Sequence, residues 1–104
     1  MDKTDAFRIT SEYLKKVLNS GIHFREAWIF GSYLKGSQNE NSDIDLAIVL
    51  DDSEINLFDT EVKLMVIRKG EETIIEPHVF TNSDFETKNP LVQQIVSNGL
   101  KIPS

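Results

Sequence analysis

Apolar and polar positions recur along the chain with two different periods, and each period predicts one kind of element. In residues 5–19 the apolar side chains fall at helical spacing and form one wide face. Gly21 follows this segment and can end a helix in the left-handed conformation. Residues 27–30 form a continuous apolar run, which is typical of a strand buried on both faces, and residues 46–50 predict a second strand. The first half of the chain therefore predicts a helix followed by two strands.

A second helix is predicted over residues 56–69. Asn56 and Asp59 resemble an N-terminal cap, and Gly70 follows the last turn. The alternation of apolar and polar residues from 62 to 66 also permits a strand at this place. If the segment is a helix, the side chains predicted to face the sheet are Phe58, Val62, Met65 and Val66.

The remaining segments predict a strand, a helix and a short tail. Residues 73–80 have the composition of a third strand. Asn89 can cap, and Pro90 can open, a last helix over residues 90–97, with Leu91, Ile95 and Val96 facing inward. Residues 100–104 are expected to be a tail. The order of elements predicts one α/β domain over residues 1–104, with a small mixed sheet and helices packed on one side.

Two aspartates, Asp43 and Asp45, stand at the start of the second predicted strand. Alternate residues of a strand point to the same face, so these carboxylates should lie close enough to share one or two divalent cations. Like charges at that distance repel one another. Mg²⁺ relieves the repulsion, because it takes oxygen ligands and keeps positions open for phosphate. The pair therefore predicts a magnesium site.

A Gly-Ser turn precedes the aspartates and follows the first strand. Gly31 allows a sharp turn and a close approach of the backbone to a ligand. Ser32 can cap a short helix whose free N–H groups bind phosphate. A phosphate site beside a metal site is typical of metal-assisted phosphoryl or nucleotidyl transfer.

Three simpler interpretations compete for the same residues. Asp-x-Asp alone is common at the solvated end of a strand. The spacing of Gly31 and Gly36 imitates a P-loop, but Ser37-Gln38 occupies the place of the required Lys-Ser/Thr. A calcium loop fails as well, because Ile44 and Leu50 stand where glycine and glutamate are needed.

The combined pattern resembles the signature of polymerase-β-like nucleotidyltransferases. It consists of Gly31-Ser32, ten intervening residues and Asp43-Ile44-Asp45. The similarity is greatest to the minimal, MNT-type domains, which are often partnered with HEPN-domain proteins. The resemblance implies that ATP or another nucleoside triphosphate is the substrate and that two Mg²⁺ ions assist the reaction. It further implies that Gly31, Ser32 and Lys35 bind the nucleotide. Tyr33 departs from the family, where arginine is frequent at this place.

Glu76 is an acid inside the third apolar run, an expensive position unless the carboxylate binds something. The resemblance requires a third carboxylate on a neighbouring strand, and Glu76 matches that place. The implied catalytic and metal-binding set is therefore Asp43, Asp45 and Glu76. Alternatively, Glu76 is paired with a basic residue on an edge strand, a position that Pro77 favours. His78 is expected to be a hydrogen-bonded neighbour rather than a ligand.

Composition narrows the choice of partners. The net charge of −6 and the scattered basic residues argue against a long nucleic acid as substrate. The absence of cysteine excludes disulfides and thiolate zinc sites. No apolar run approaches the roughly 20 residues that span a bilayer. The N-terminal sequence has no signal-peptide pattern, so we expect a cytoplasmic protein.

The resulting hypothesis is an Mg²⁺-dependent enzyme that moves AMP from ATP onto a hydroxyl of a partner protein. The resemblance makes a HEPN-type toxin the expected partner and this chain its antitoxin, and a homo-oligomer also stays open. The alternative is a non-catalytic antitoxin that neutralises its partner by contact. A nucleotidyltransferase acting on small molecules is disfavoured, because the chain has no room for an acceptor-binding domain.

Overall fold

The computed structural model describes residues 3–31, 43–51, 56–87 and 89–103. The described helices are α1 (Lys3–Asn19), α2 (Leu57–Val66), α3 (Asn82–Glu86) and α4 (Pro90–Asn98), with a 3₁₀ helix at Gly70–Ile74. The strands are β1 (Phe24–Phe30), β2 (Ile44–Leu50), β3 (Ile75–Thr81) and β4 (Leu100–Lys101). None of the helices within these ranges has both the length and the apolar character needed to cross a membrane.

The four strands form one mixed sheet in the order β3-β2-β1-β4. β1 pairs antiparallel with β2 and β4, whereas β2 and β3 are parallel. The prediction of an α/β fold with a small mixed sheet is confirmed. Glu76 and Pro77 lie on β3, which is an edge strand of the described sheet, and proline is tolerated at such an edge.

One face of the sheet packs against α1 and α2. The apolar side of α1 includes Ile9, Tyr13 and Val17, all of them buried. They share a core with alternate residues of β2 and with Leu64 of α2. The Tyr13 hydroxyl donates a hydrogen bond of 2.5 Å to the Leu64 carbonyl, which ties the two helices together. Gly21 has φ of 93°, so the predicted left-handed end of α1 is confirmed.

The other face of the sheet carries a second core. Ala47 and Val49 of β2 are buried there together with residues of α3 and α4: Phe85, Val92 and Ile95. Trp28 and Phe30 of β1 are half-buried against this cluster. Helices therefore cover part of each face, so the expectation that they pack on one side of the sheet was wrong. Because side chains alternate along β2, Asp45 lies on the same face as Ala47 and Val49.

The predicted helix over residues 56–69 is confirmed for its first part, because α2 spans Leu57–Val66 and the Asn56 side chain accepts a hydrogen bond from the Asp59 amide. Its predicted inward face is wrong: Phe58, Val62, Met65 and Val66 are all exposed. Leu64 is buried instead, with Leu57 and Ile67 packed against the same core. The helix has two apolar stripes, and the one that reaches α1 is buried.

Two expectations about the C-terminal segment are also corrected. In α4, Ile95 is buried as predicted, but Val92 takes the second inward position, and Leu91 and Val96 are exposed. The expected tail contains strand β4, which pairs with β1. Just after it, the Ile102 amide donates a 2.8 Å hydrogen bond to the Ala27 carbonyl, and the Ile102 side chain is buried. The tail is thus part of the fold.

Candidate functional site

The candidate site is built on the register between β2 and β3. Asp45 is paired with Glu76 across the parallel strands, and on its other side it is paired with Phe30 of β1. Paired residues of neighbouring strands project to the same face, so the two carboxylates point into the same space. His78 follows Glu76 by two residues and returns to that face.

Within the ranges that the structure describes, Asp45, Glu76 and His78 form a group that could hold a metal ion. One ligand atom from each residue lies within 4.8 Å of the other two. The Asp45 and His78 side chains are about one-third exposed, and Glu76 is exposed, so the group is open to solvent. Two carboxylates and an imidazole are a donor set that suits a divalent cation. Such an ion could polarise a phosphate and activate an attacking hydroxyl.

His78 is held against Asp45. The distance from His78 Nε2 to Asp45 Oδ1 is 3.2 Å, which agrees with the expected hydrogen-bonded neighbour. This hydrogen bond is the main reason why the pKa of His78 is raised. Partial burial opposes the rise, whereas the negative charges of Asp45, Glu76 and Glu61 add to it. The Phe30 ring lies against the imidazole at a centroid distance of 5.3 Å, with the two rings tilted by 58°.

Gly31 makes room for the Asp45 carboxylate. Its φ of 90° lies in a region that residues with a side chain rarely adopt. A Cβ at this position would overlap Asp45 Oδ2 and lie 3.2 Å from Asp45 Cγ. The glycine is therefore required twice, once for the backbone turn and once for the space beside Asp45. The role of Gly31 in nucleotide binding stays a prediction.

The other residues expected at the site are not all brought into this group. Asp43 is exposed and lies one residue before β2, outside the three-residue group. Ser32 and Lys35, predicted to bind the nucleotide, lie outside the described residues, as does Tyr33. Asp43 as a metal ligand, and Ser32 and Lys35 as nucleotide ligands, stay predictions.

Glu61 of α2 is a further acid that contributes to the raised pKa of His78, and the sequence did not reveal it. Its charge acts on His78, although the two residues belong to different elements. Glu61 is half-buried, and α2 packs against β3, the strand that carries His78. No motif or spacing connects the two residues in the sequence, so only the folded arrangement identifies this neighbour.

Comparison with known proteins adds a family match. The family model described as polymerase beta, nucleotidyltransferase matches residues 12–104. Comparison with curated proteins gives no match.

Three solved structures have a similar fold. A candidate nucleotidyltransferase from Sulfolobus solfataricus has a TM-score of 0.62 at 20% identity, covering 91% of this chain and 77% of that one. A toxin–antitoxin structure with AMP-PNP has a TM-score of 0.57 at 24% identity, with coverages of 89% and 72%. A mutant of the toxin–antitoxin pair MntA-HpeT also has a TM-score of 0.57, at 20% identity with coverages of 90% and 72%. At these identities the similarity concerns the fold.

Proposed function

Because this chain belongs to the polymerase beta nucleotidyltransferase family, we propose that it transfers AMP from ATP to a hydroxyl of a partner protein. The observation that carries the proposal is the convergence of the Asp45 and Glu76 carboxylates on one face of the sheet. The partner is a HEPN-type toxin, and this chain is its antitoxin. The similarity of fold to chains of toxin–antitoxin structures, one of them with AMP-PNP, supports this assignment.

Asp45 and Glu76 are the residues that would hold a divalent ion, and the donor set fits Mg²⁺. Asp43 is the further carboxylate that the Asp-x-Asp spacing provides. Bound Mg²⁺ would supply two effects, a lower pKa of the acceptor hydroxyl and neutralisation of charge on the departing pyrophosphate. His78 contributes by donating a hydrogen bond to Asp45 Oδ1, which fixes the orientation of that carboxylate.

In the proposed reaction, the acceptor hydroxyl loses its proton to solvent, to which the site is open, and its oxygen forms a bond to the α-phosphorus of ATP. The bond from that phosphorus to the bridging oxygen of the β-phosphate breaks, and pyrophosphate leaves. Gly31 and Ser32 would hold the terminal phosphates at the turn after β1, and Lys35 would neutralise their charge. Gly31 also makes room for the Asp45 carboxylate, so that this side chain can take the position in which it would hold the ion.

A labelling experiment tests the proposal. The purified chain is incubated with Mg²⁺, the purified HEPN-type protein encoded by the neighbouring gene, and ATP labelled at either the α- or the γ-phosphate. Nucleotidyl transfer predicts label on the partner from α-labelled ATP only, whereas a kinase would transfer the γ-label. Asp45→Asn and Glu76→Gln should each abolish the signal, while Glu12→Gln, an exposed substitution on α1, should not. Absence of label with the parent chain would refute the transfer reaction.

The second candidate is a non-catalytic antitoxin that neutralises its partner by contact. The position of Asp43, exposed and outside the group of Asp45, Glu76 and His78, favours this candidate. The double variant Asp43→Asn/Asp45→Asn separates the two functions. If it protects cells from the partner as well as the parent does, contact alone is sufficient, and if protection is lost while the complex still forms, catalysis is needed.

A further inference from the structure

The imidazole of His78 adds a nitrogen ligand to the oxygen ligands of the candidate site. Asp45 is paired with Glu76 across β2 and β3, and His78 follows Glu76 by two residues on the same face. One ligand atom from each of these three residues lies within 4.8 Å of the other two. The group therefore has two kinds of donor atom, and different cations can use it in different ways.

The distance between His78 and Asp45 suits two ligands of one ion. His78 Nε2 lies 3.2 Å from Asp45 Oδ1. Two ligand atoms bound to a tetrahedral zinc ion, each at about 2.0 Å from it, lie about 3.3 Å apart. A zinc ion can therefore take the place of the proton between these two atoms with little movement of either side chain. Glu76 is exposed on β3, so its side chain is free to turn towards such an ion.

Mg²⁺ and Zn²⁺ make different demands on the group. Mg²⁺ takes oxygen ligands, so with Mg²⁺ bound the carboxylates are the ligands and His78 keeps its hydrogen bond to Asp45. Imidazole is a good ligand for zinc. Three protein ligands with one position left for water are the usual arrangement of an open zinc site. The nitrogen of His78 therefore favours Zn²⁺ over Mg²⁺ at this place.

We infer that Asp45, Glu76 and His78 form a zinc-binding site in which His78 Nε2 is a direct ligand. The ring proton is then on Nδ1, and the fourth position of the ion faces solvent, to which all three side chains are at least partly exposed. Zn²⁺ and Mg²⁺ exclude one another, because both use Asp45 and Glu76. One consequence rests on the proposed transfer function: zinc bound in this way inhibits AMP transfer.

The chain has two histidines, so a matched pair of variants tests the inference. His78→Gln removes the imidazole but keeps a side-chain amide that can donate a hydrogen bond to Asp45. His23→Gln makes the same exchange at an exposed residue between α1 and β1, outside the group. Calorimetry on the chain without a histidine tag measures the affinities for Zn²⁺ and Mg²⁺. Thermal unfolding in EDTA shows that each variant is folded.

We expect His78→Gln to bind Zn²⁺ at least about tenfold more weakly than the parent, as for the loss of a residue that supports a metal site. His23→Gln should bind it within about twofold of the parent, as for other substitutions at exposed positions. The Mg²⁺ affinity of His78→Gln should fall much less than its Zn²⁺ affinity. Added Mg²⁺ should weaken the apparent affinity of the parent for Zn²⁺, because the two ions share the carboxylates.

X-ray absorption at the zinc edge gives a readout that does not depend on the His78 variant. In His23→Gln, His78 is the sole histidine of the chain, so the scattering pattern of a zinc-bound imidazole can come from His78 alone. We expect this pattern in the zinc-loaded His23→Gln protein. A spectrum with oxygen ligands alone would overturn the inference.

The binding results separate a ligand from a residue that only positions Asp45. Equal Zn²⁺ affinities of the parent and His78→Gln would overturn the inference. An equal loss of Zn²⁺ and Mg²⁺ affinity would also overturn it, because His78 would then act only through Asp45. A Zn²⁺ affinity that does not respond to Mg²⁺ would place the zinc ion elsewhere.

The zinc site and the transfer reaction can fail independently. If Zn²⁺ binds through His78 but the parent with Mg²⁺ transfers no AMP, the transfer proposal falls and the zinc site stands. If AMP is transferred but zinc does not bind through His78, the zinc inference falls and the transfer proposal stands. Transfer that continues unchanged when the site is saturated with zinc would overturn the exclusion of Mg²⁺.

Discussion

Asp45 and Glu76 occupy paired positions on parallel strands and present their carboxylates to the same space. Like charges at this distance repel one another, and a cation bound between the two carboxylates would offset that repulsion. The arrangement therefore links metal binding to stability, because an ion that binds only the folded state raises the free energy of unfolding.

Removing one member of the pair should weaken metal binding while relieving the repulsion. For Glu76→Gln we expect the affinity for Mn²⁺, used as a probe for Mg²⁺, to fall more than about tenfold. In EDTA the thermal midpoint of this variant should equal or exceed that of the parent, because one of two neighbouring charges is gone. Glu12→Gln, which changes an exposed carboxylate on α1, is the matched control. If added Mn²⁺ raised the thermal midpoints of the parent and of Glu76→Gln by the same amount, the assignment of Glu76 as a metal ligand would be contradicted.

Two glycines with almost the same backbone conformation allow the contact with Asp45 to be isolated. Gly31 has φ of 90° and Gly21 has φ of 93°, so alanine at either position introduces backbone strain of about 1–3 kcal/mol. Only at Gly31 would the new Cβ meet Asp45, since the space beside Gly21 is open. We expect both variants to be less stable in chemical denaturation. Gly31→Ala alone should also lose Mn²⁺ affinity, and equal affinities in the two variants would show that Gly31 does not position Asp45.

Stability at high pH should depend on Tyr13. Burial is the main cause of its raised pKa, with a smaller rise from Glu72 opposed by Arg68. In the unfolded chain the phenol ionises near pH 10, whereas in the fold it keeps its proton to higher pH. The stability that depends on the neutral Tyr13 phenol is therefore fully present below about pH 10. Above that pH the free energy of unfolding falls by about 1.4 kcal/mol per pH unit.

Tyr13→Phe tests that pH dependence. The variant should lose about 1 kcal/mol at neutral pH, because the Leu64 carbonyl loses its hydrogen bond from the hydroxyl. Above pH 10 its free energy of unfolding should fall less steeply than that of the parent, in denaturation series at matched pH. Tyr33 is present in both proteins, so it does not affect the difference. Parallel slopes would mean that Tyr13 ionises normally in the fold.

The segment after α4 should contribute to stability. Ile102 is buried, and its amide is bonded to Ala27 beside the pairing of β4 with β1. We expect Ile102→Ala to lower the free energy of unfolding by about 2–4 kcal/mol in chemical denaturation, the usual range for a large buried aliphatic side chain. Leu100→Ala, at a more exposed position of the same segment, should have a smaller effect. Similar losses in both variants would argue against the burial of Ile102.

The sequence predicted the elements better than their contacts. The spacing around α2 contains two apolar stripes, one with Leu57 and Leu64 and one with Phe58 and Met65, and either could face inward. Which of the two stripes faces inward depends on the position of α1. The periodicity within α2 gives no information about that position. β4 was missed for another reason, because two residues paired with a distant strand have too short a pattern to be recognised.

At the candidate site, local motifs in the sequence identified residues on the strands, but they did not identify contacts between distant segments. The strand position of Asp45 and the place of Glu76 within the third apolar run indicated both residues, and the parallel register brings them together. The premise that the Glu76 carboxylate is buried was wrong, because Glu76 is exposed on the edge strand β3. The hydrogen bond from His78 to Asp45 agrees with the role expected of it. Glu61 could not be found, because its position relative to His78 depends on the packing of α2 against β3.

A crystal of the chain grown with Mn²⁺ and a non-hydrolysable ATP analogue would test most directly whether Asp45 and Glu76 share a catalytic ion. The account predicts an anomalous difference peak between the two carboxylates, about 2.1 Å from an oxygen of each, as in octahedral Mg²⁺ sites. An analogue phosphate should complete the coordination. A bound analogue with no peak between Asp45 and Glu76, or with an ion that contacts neither carboxylate, would contradict it.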